Sequence, residues 1–590
     1  MIAGPNAKAP GVSAIDGEKR SVIREAWRLA APYWRSPDKR YAWALLAAVV
    51  ALNLANVYID VRINQWNNAF FNAIQNKDAP EFFWQLGVFG VLAFAAIVIS
   101  VYALYLNQML QIRWRRWLTE RYVTAWLSDR AFFRLQLEGQ DTDNPDQRIS
   151  EDLRLFTDYV MSLSLGILTS VVSLVSFLFI LWGLSGPAEV PLFGWGTVHV
   201  PAYLVWCALI YAGVGTFFTV KIGRPLVPLN FAQQRFEADF RFSLVRLREN
   251  AESIAFYRGE TPERGVFRDR FGHVFDNFWR IMVRRKHLNW FTSFYGQAAV
   301  IFPYLVAAPR YFAGEIQMGG LMQVGDAFIS VQNSLSFIIN SYAEIAAWSA
   351  VTQRLSTFDR RMQQIAARLR APQTIAIRHE GTGVAVEGLD LDLPDGTPLL
   401  RGISFAVVQG EALLLTGPTG IGKSTVMRAV AGLWPWGRGA VRLGEGGQLF
   451  LPQRPYLPLG TLEDALRYPD IAAADAGRVA ALLAEVGLGK FVSALGESDN
   501  WAQRLSPGEQ QRLAFARVFL AEPALVVLDE ATSALDEAAE AELYVRLRAA
   551  TWRPTVISVG HRLSLRAFHD QAIDIARFSA RHPEIVPAAD

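Results

Sequence analysis

The sequence predicts two folds in one chain, a membrane-spanning bundle of six helices followed by an α/β domain built on a phosphate-binding loop. Three observations predict it. Six stretches of the first half are each long and apolar enough to cross a bilayer. Lys and Arg crowd alternate connections between them. Late in the chain, "LLLTGPTGIGKSTVMRAVAG" (413–432) fits G-x-x-x-x-G-K-[ST] from Gly417 to Ser424.

Composition sets the limits. A chain of 590 residues has room for more than one domain. Hydrophobic residues make up 52% and charged residues 19%, the latter below the roughly 25% of a soluble domain. A net charge of +3 is too small to argue for nucleic acid as a partner. The single cysteine, Cys207, excludes an intrachain disulfide and a multi-cysteine metal cluster, and its apolar surroundings read as a buried small hydrophobe. The first twenty residues lack the apolar core of a signal peptide and are expected to be disordered.

The predicted spans are Tyr41–Asp60, Phe82–Leu106, Tyr159–Leu184, Val198–Val220, Trp290–Ala313 and Leu321–Ala347, the last being the most interrupted by polar residues. Basic residues precede the first span, follow the second ("QIRWRRWLTERY") and fill 221–286 after the fourth, whereas "SGPAEVPLFGWGTVH" between the third and fourth has none. This alternation places both termini and the two long loops in the cytosol. "REAWRLAAPYWRSPDKRYAW", just before the first span, suits a helix lying in the membrane interface. In "DTDNPDQRISEDLRLF", Asn144, Pro145 and Gln147 predict a capped helix start with a capping box. The expected division is 1–40 disordered terminus and interfacial helix, 41–357 six-span domain, 358–382 linker, 383–577 nucleotide domain and 578–590 tail.

The chemistry lies in the second half. A strand precedes the glycine-rich loop and a helix follows it, the context a phosphate loop requires. Residues Gly417, Pro418, Thr419, Gly420, Ile421, Gly422, Lys423, Ser424 and Thr425 are the expected ATP contacts. Backbone N–H groups approach the phosphates, Lys423 reaches the β- and γ-phosphates, and the Ser424 hydroxyl ligates Mg²⁺. In "ALVVLDEATSALD" (524–536) an apolar strand ends in Asp529, placed for Mg²⁺, and Glu530, placed to orient or deprotonate the attacking water.

"RLSPGEQQRLAFARVFL" (504–520) resembles the signature of the ATP-binding cassette (ABC) family, with Leu505, Ser506, Pro507, Gly508 and Glu509 standing for LSGGQ. The resemblance implies further parts in the family's order. They are a Q-loop glutamine, Gln453, as a catalytic and Mg²⁺-facing residue; a D-loop aspartate, Asp536; and a switch histidine, His561. It also implies that Ser506, Gly508 and Glu509 act on ATP held by another subunit. One membrane domain with one cassette is then a half-transporter whose simplest assembly is a homodimer. The chain departs from the family at Pro507 and Glu509, and at Leu393, where cassettes often carry an adenine-stacking aromatic.

"ENAESIAFYRGE", "DNPDQRISEDL", "SYAEIAAWSAV" and "AGLWPWGRG" are similar to SbmA/BacA-type ABC transporters, which are related to the peroxisomal fatty acyl-CoA transporters. That likeness implies an exporter-like fold, whose members can nonetheless work as importers, in a bacterial inner membrane, with uptake of antimicrobial peptides or cobalamin-like solutes expected, and an acyl-CoA or lipid-like cargo, or export, as the alternative. A non-pumping membrane ATPase is the competing class of function. The expected translocation path is a polar stripe in the last span, Asp326, Ser330, Asn333, Asn340 and Glu344, spaced to fall within roughly 80° of one helix face. Asn289, Ser293 and Gln297 repeat in the fifth span. The competing reading is that these side chains hydrogen-bond between helices and hold the bundle together.

Overall fold

The computed structural model describes residues 14–137, 144–192, 196–370, 374–469 and 475–580. The chain forms two compact units, Met1–Ser128 with Asp143–Met362, and Asp129–Thr142 with Gln363–Asp590.

In the first unit, α1 (Ala14–Ala30) starts inside the stretch expected to be disordered. Val22, Ala26, Leu29 and Ala30 are buried at helical spacing, which gives α1 one packed face. Next come α2 (Lys39–Gln75) and α3 (Ala79–Leu127). Asp78 caps α3 by accepting the Glu81 N–H at 3.1 Å, ahead of Pro80 in the first turn. The basic stretch after the second expected span is a continuation of α3. The short α4 (Ala131–Leu137) belongs to the second unit, where Leu137 packs on the cassette core and Arg130 donates to the Ala431 carbonyl at 3.2 Å.

The chain re-enters the first unit through a single turn, α5 (Pro145–Gln147), and a π-helical stretch, Arg148–Asp152, that lead into α6 (Leu153–Ser185). The predicted capping box is not formed. Asn144 makes no side-chain cap, and Gln147 donates instead to Glu151. Strands β1 (Pro187–Leu192) and β2 (Gly196–Pro201) pair antiparallel in the loop without basic residues. They take the first residues expected of the fourth span, so α7 runs Tyr203–Gly223. After it come α8 (Leu226–Glu249), α9 (Ala251–Phe256) and α10 (Glu260–Phe312).

Among the described residues, five helical segments are long and apolar enough to cross a membrane. They cover the first five expected spans, the fourth from Tyr203 rather than Val198 and the fifth to Phe312 rather than Ala313. The sixth stretch folds as α11 (Met318–Asn340) and α12 (Tyr342–Arg370), which meet at Ser341. Backbone bonds from Ser341 to Phe337 and from Ile345 to Ser341 carry the helical pattern across this junction. Gln323, Asp326, Gln332, Asn333 and Asn340 lower its hydropathy below that of the other five. Outward, α3 exposes Phe83, Val91, Phe94, Ile97 and Leu104, a surface that suits lipid and would aggregate in water. Inward, Phe177, Leu181, Leu204, Ala208, Ala307, Phe328 and Val331 form a core shared by α6, α7, α10 and α11. Helix α11 lies close against α2 at Gly319, where a Cβ would collide with the Asn68 carbonyl oxygen.

The described residues of the second unit form two large sheets and one two-stranded sheet. An antiparallel-rich sheet has the order β3-β7-β4-β5, from β3 (Ile375–His379), β4 (Val384–Asp392), β5 (Pro398–Val407) and β7 (Gly437–Leu443). The other is parallel with the order β13-β6-β12-β11-β8, from β6 (Ala412–Thr416), β8 (Gln448–Leu451), β11 (Leu525–Asp529), β12 (Thr555–Val559) and β13 (Gln571–Asp574). Its central strands are continuous apolar runs because both faces are covered. Short strands β9 (Gly460–Thr461) and β10 (Ser498–Asp499) pair antiparallel. Helices α13 (Lys423–Val430), α14 (Leu462–Arg467), α15 (Ala476–Glu485), α16 (Trp501–Arg504), α17 (Pro507–Ala521) and α18 (Glu537–Arg548) complete the unit.

Candidate nucleotide site

The register of the parallel sheet builds this site. Asp529 pairs with Val559, and Val559 with Leu415, so β11, β12 and β6 end at one level. The glycine-rich loop leaves β6 there, Asp529 and Glu530 end β11, and His561 follows β12. Ligands of parallel α/β sheets sit at such carboxyl ends.

The loop curls because Gly417 and Gly422 adopt positive φ, +131° and +112°. A Cβ on Gly422 would press on Leu399 and Leu400 at 3.1 Å, so the loop is also held tightly from below. Gly422 precedes the first turn of α13, whose free N–H groups face the loop. Lys423 is buried and donates to the Gly417 and Pro418 carbonyls at 2.8 and 3.0 Å. Burial pulls its pKa down, and the nearby carboxylates of Glu530, Asp529 and Asp574 pull the other way. Thr425 is buried beneath the loop, Ile421 packs on the core, and Thr419 and Gly420 are exposed at the rim.

Ser424 donates to Asp529 Oδ1 at 3.0 Å. Burial raises the Asp529 pKa; the Ser424 bond opposes this and Glu530 adds to it. Glu530 takes φ +51°, the left-handed region, which costs a non-glycine residue on the order of 1–3 kcal/mol. Its backbone is fixed there by bonds to the Val559 carbonyl and from the Ser533 N–H, both 3.1 Å. Its carboxylate is shared, with Gln453 Nε2 at 3.1 Å from one oxygen and His561 Nε2 at 3.1 Å from the other. The structure thus gathers Lys423, Ser424, Gln453, Asp529, Glu530 and His561 at one place.

The signature stands apart from this group. Ser506 is the N-cap of α17 and forms a reciprocal capping box with Glu509. Pro507 occupies the first helical position, where its missing N–H costs the helix nothing. Glu509 also pairs with Lys490 at 2.6 Å. Burial would raise its pKa, but Lys490 and Ser506 together hold it below the usual carboxylate range. Gly508 faces the Ala534 carbonyl, and Asp536 caps α18 by accepting the Ala539 N–H at 2.7 Å.

Two residues join these parts that the sequence did not single out. Gln511, almost fully buried, donates to the Gln453 carbonyl and Ser533 Oγ and accepts from Ala534 N–H. Arg562, next to His561, donates to the Ser533 and Leu535 carbonyls and to the buried Glu540. Position 393 is half-buried on the core beside Asp392, whose carbonyl accepts the Trp434 indole N–H at 3.0 Å.

In the membrane unit the expected polar stripe divides. Asp326 is bonded by Asn67 of α2, and Ser330 donates to the Asp326 carbonyl at 3.0 Å. Asn333 and Asn340 are exposed, as are Asn289, Ser293 and Gln297 of α10, while Glu344 is half-buried in the first turn of α12. Sequence reading missed the ladder on α2 that meets this stripe. Asn64 donates to the Gln323 carbonyl, Asn68 to the Gln323 side chain, and Asn72 and Gln75 accept the Gly319 and Met318 N–H groups. Asn64, Asn68 and Asn72 recur every fourth residue, a signal open to a search for polar as well as apolar periodicity.

A helical membrane region fused to one nucleotide-binding α/β unit defines the half-transporter class. Residues 31–312 match the family described as ABC transporter transmembrane region 2, and residues 400–533 match the one described as ABC transporter. The chain is 35% identical to "ABC transporter D family member 2, chloroplastic" of Arabidopsis thaliana over 95% of its own length and 88% of that protein. It is 33% identical to "Inner membrane ABC transporter ATP-binding protein YddA" of Escherichia coli over 94% of its own length and 98% of that protein. It is 28% identical to "Lysosomal cobalamin transporter ABCD4" of Homo sapiens over 97% of each. The fold is shared with a bacterial Atm1-family ABC exporter with ATP bound, at TM-score 0.65 and 18% identity over 91% of this chain and 94% of that one. The chain belongs to the ABC transporters, as an ATP-hydrolysing half-transporter related to the D family.

Proposed function

We propose that this chain is an SbmA/BacA-like homodimeric transporter that takes up a hydrophilic or amphipathic solute, a peptide or cobalamin-like molecule, across a bacterial inner membrane. Its cassettes and termini lie in the cytosol. Each ATP site combines residues 417–425, Gln453, Asp529, Glu530 and His561 of one protomer with Ser506 and Gly508 of its partner. Lys423 exchanges the loop carbonyls for phosphate oxygens. Ser424 Oγ and Asp529 Oδ1, 3.0 Å apart, are hard oxygen donors that, with the Gln453 side chain, would hold Mg²⁺. Bound there, Mg²⁺ would neutralise phosphate charge. Glu530 takes the proton of the attacking water, and His561 and Gln453 hold its carboxylate in place.

The observation that supports a polar cargo is the set of exposed amides and hydroxyls on α10 and α11, Asn289, Ser293, Gln297, Asn333 and Asn340, inside helices otherwise built for lipid. Asp326 anchors this stripe through Asn67, and Glu344 ends it. The name of the human relative supports cobalamin-like cargo, and the name of the Escherichia coli relative supports the inner membrane. Uptake of labelled cobalamin, peptide and acyl-CoA by cells with and without the gene tests the reading. Gene-dependent accumulation of the peptide or cobalamin is expected. Gene-dependent movement of acyl-CoA alone would overturn it.

A further inference from the structure

Helix α1 and the turn after it carry a basic recess apart from the nucleotide site and from the polar stripe of α10 and α11. It is an open groove of about 1100 Å³, lined by Arg24, Glu25, Trp27, Arg28, Pro32 and Arg35. Three guanidinium groups face one carboxylate. That carboxylate, Glu25, is already engaged by Arg360 at 3.3 Å. Arg28 is held by Ser356 and Asp359, both at 3.4 Å, which fixes α1 against α12. Arg24 and Arg35 are exposed and have no ion-pair or hydrogen-bond partner among the described residues. The recess therefore has a net positive charge that the protein itself does not neutralise.

Its level relative to lipid follows from the aromatic residues. Trp27 is 66% exposed, and Tyr41 and Trp43 at the start of α2 are 65% and 54% exposed. Trp43 donates its indole N–H to the Trp34 carbonyl at 3.3 Å, and Arg113 of α3 lies over the Tyr41 ring at 5.4 Å. Exposed Trp and Tyr interleaved with Arg at the end of an apolar span mark the headgroup layer. The buried face of α1, Val22, Ala26, Leu29 and Ala30, is turned to the protein, while Ile23 and Trp27 are left exposed beside the arginines. A ligand that fits must bring a negative charge at the headgroup level and apolar chains just beyond it.

We infer that this recess binds the phosphate of an anionic phospholipid from the cytosolic leaflet, held by Arg24, Arg28 and Arg35 with Trp27 against its glycerol and upper acyl chains. Basic pockets at the cytosolic ends of spans recognise such lipids, each basic residue contributing roughly a fivefold gain in binding. Lipid is the occupant rather than a soluble anion because the exposed Ile23 and Trp27 gain nothing from a free phosphate.

The test uses the full-length protein in nanodiscs of phosphatidylcholine doped with phosphatidylglycerol. Lipid released after delipidating washes is quantified for the wild type and for Arg24→Gln/Arg35→Gln. Arg28 is left intact because it also fixes α1. Wild-type protein should retain phosphatidylglycerol in preference to phosphatidylcholine, and the double variant should lose that preference by about 25-fold, two arginines at fivefold each. ATP hydrolysis in pure phosphatidylcholine should be equal in the two proteins, which shows the variant is folded. Equal retention of phosphatidylglycerol by both proteins would overturn the inference. Displacement of phosphatidylglycerol from the wild type by millimolar inorganic phosphate would overturn it in favour of a soluble anion.

Discussion

The side-chain oxygen of Gln511 accepts the backbone N–H of Ala534 at 2.9 Å. The same amide donates to the Gln453 carbonyl at 3.1 Å and to Ser533 Oγ at 3.2 Å. One buried side chain on the signature helix therefore ties together the Q-loop and the D-loop. Among the described residues its side chain makes no hydrogen bond to the phosphate loop or to Glu530.

Gln511→Leu should separate binding from turnover. It leaves the Ala534 N–H and the Gln453 carbonyl without this partner in a buried site, at a cost of about 1–3 kcal/mol. A lower Tm of the detergent-solubilised protein and a fall in kcat well beyond any change in ATP affinity are expected. Equal losses in nucleotide binding and kcat would contradict this placement of Gln511.

The proposed sharing of ATP sites between protomers makes a prediction for mixed dimers. Ser506→Arg in one protomer and Lys423→Ala in the other place both lesions in one composite site and leave the second whole. Differentially tagged mixed dimers, purified in tandem, should hydrolyse ATP at a rate well above either mutant homodimer. Activity no higher than the homodimers would count against sites completed in trans.

Asn144 and Ser506 show what was and was not legible in the sequence. Both begin a polar residue, Pro, x, Gln or Glu pattern, yet only Ser506 forms the box, with Glu509 held further by Lys490. Local pattern names the candidate, and tertiary partners decide it. Most of the nucleotide site was legible because phosphate and Mg²⁺ chemistry demands fixed residues at strand ends. Gln511 and Arg562 were not, because each acts on backbone groups that only the fold brings near. The α2 amides escaped for another reason. Hydropathy finds a span by its average, and Asn64, Asn68 and Asn72 sit inside a long apolar helix.

Acid should destabilise the cassette through His569. Its Nδ1 lies 2.7 Å from the Leu565 carbonyl and its Nε2 2.8 Å from Ser558 Oγ. Burial pushes its pKa below the ordinary 6.5, and the Leu565 bond only partly offsets this. On acidification the unfolded chain therefore takes up its proton first. The stability is complete above about pH 6.5 and is lost as pH falls below it toward the folded value. The fall in Tm from pH 7.5 to 5.5 should be smaller in His569→Gln than in the wild type. An identical fall in both would exclude this histidine as the cause.

Cysteine scanning separates path from packing. Cys207, the native thiol, is replaced by alanine first. Cysteines at 333 and 340, both exposed, should then react with a water-soluble thiol reagent in intact vesicles. A cysteine at 331, where Val331 is fully buried in the bundle core, should not. Protection at all three positions, with unchanged uptake in Glu344→Ala, would favour hydrogen bonds that only hold helices together.

The catalytic assignment rests on Glu530, held in a left-handed backbone conformation between Gln453 and His561. The most direct measurement is ATP hydrolysis by Glu530→Gln in the reconstituted full-length protein, read beside nucleotide binding in the same preparation. The substitution keeps shape and the Gln453 and Lys423 surroundings but removes the base. Turnover should fall by roughly 10²–10⁴-fold, the usual worth of a general base, with ATP still bound. Hydrolysis at the wild-type rate would contradict the account.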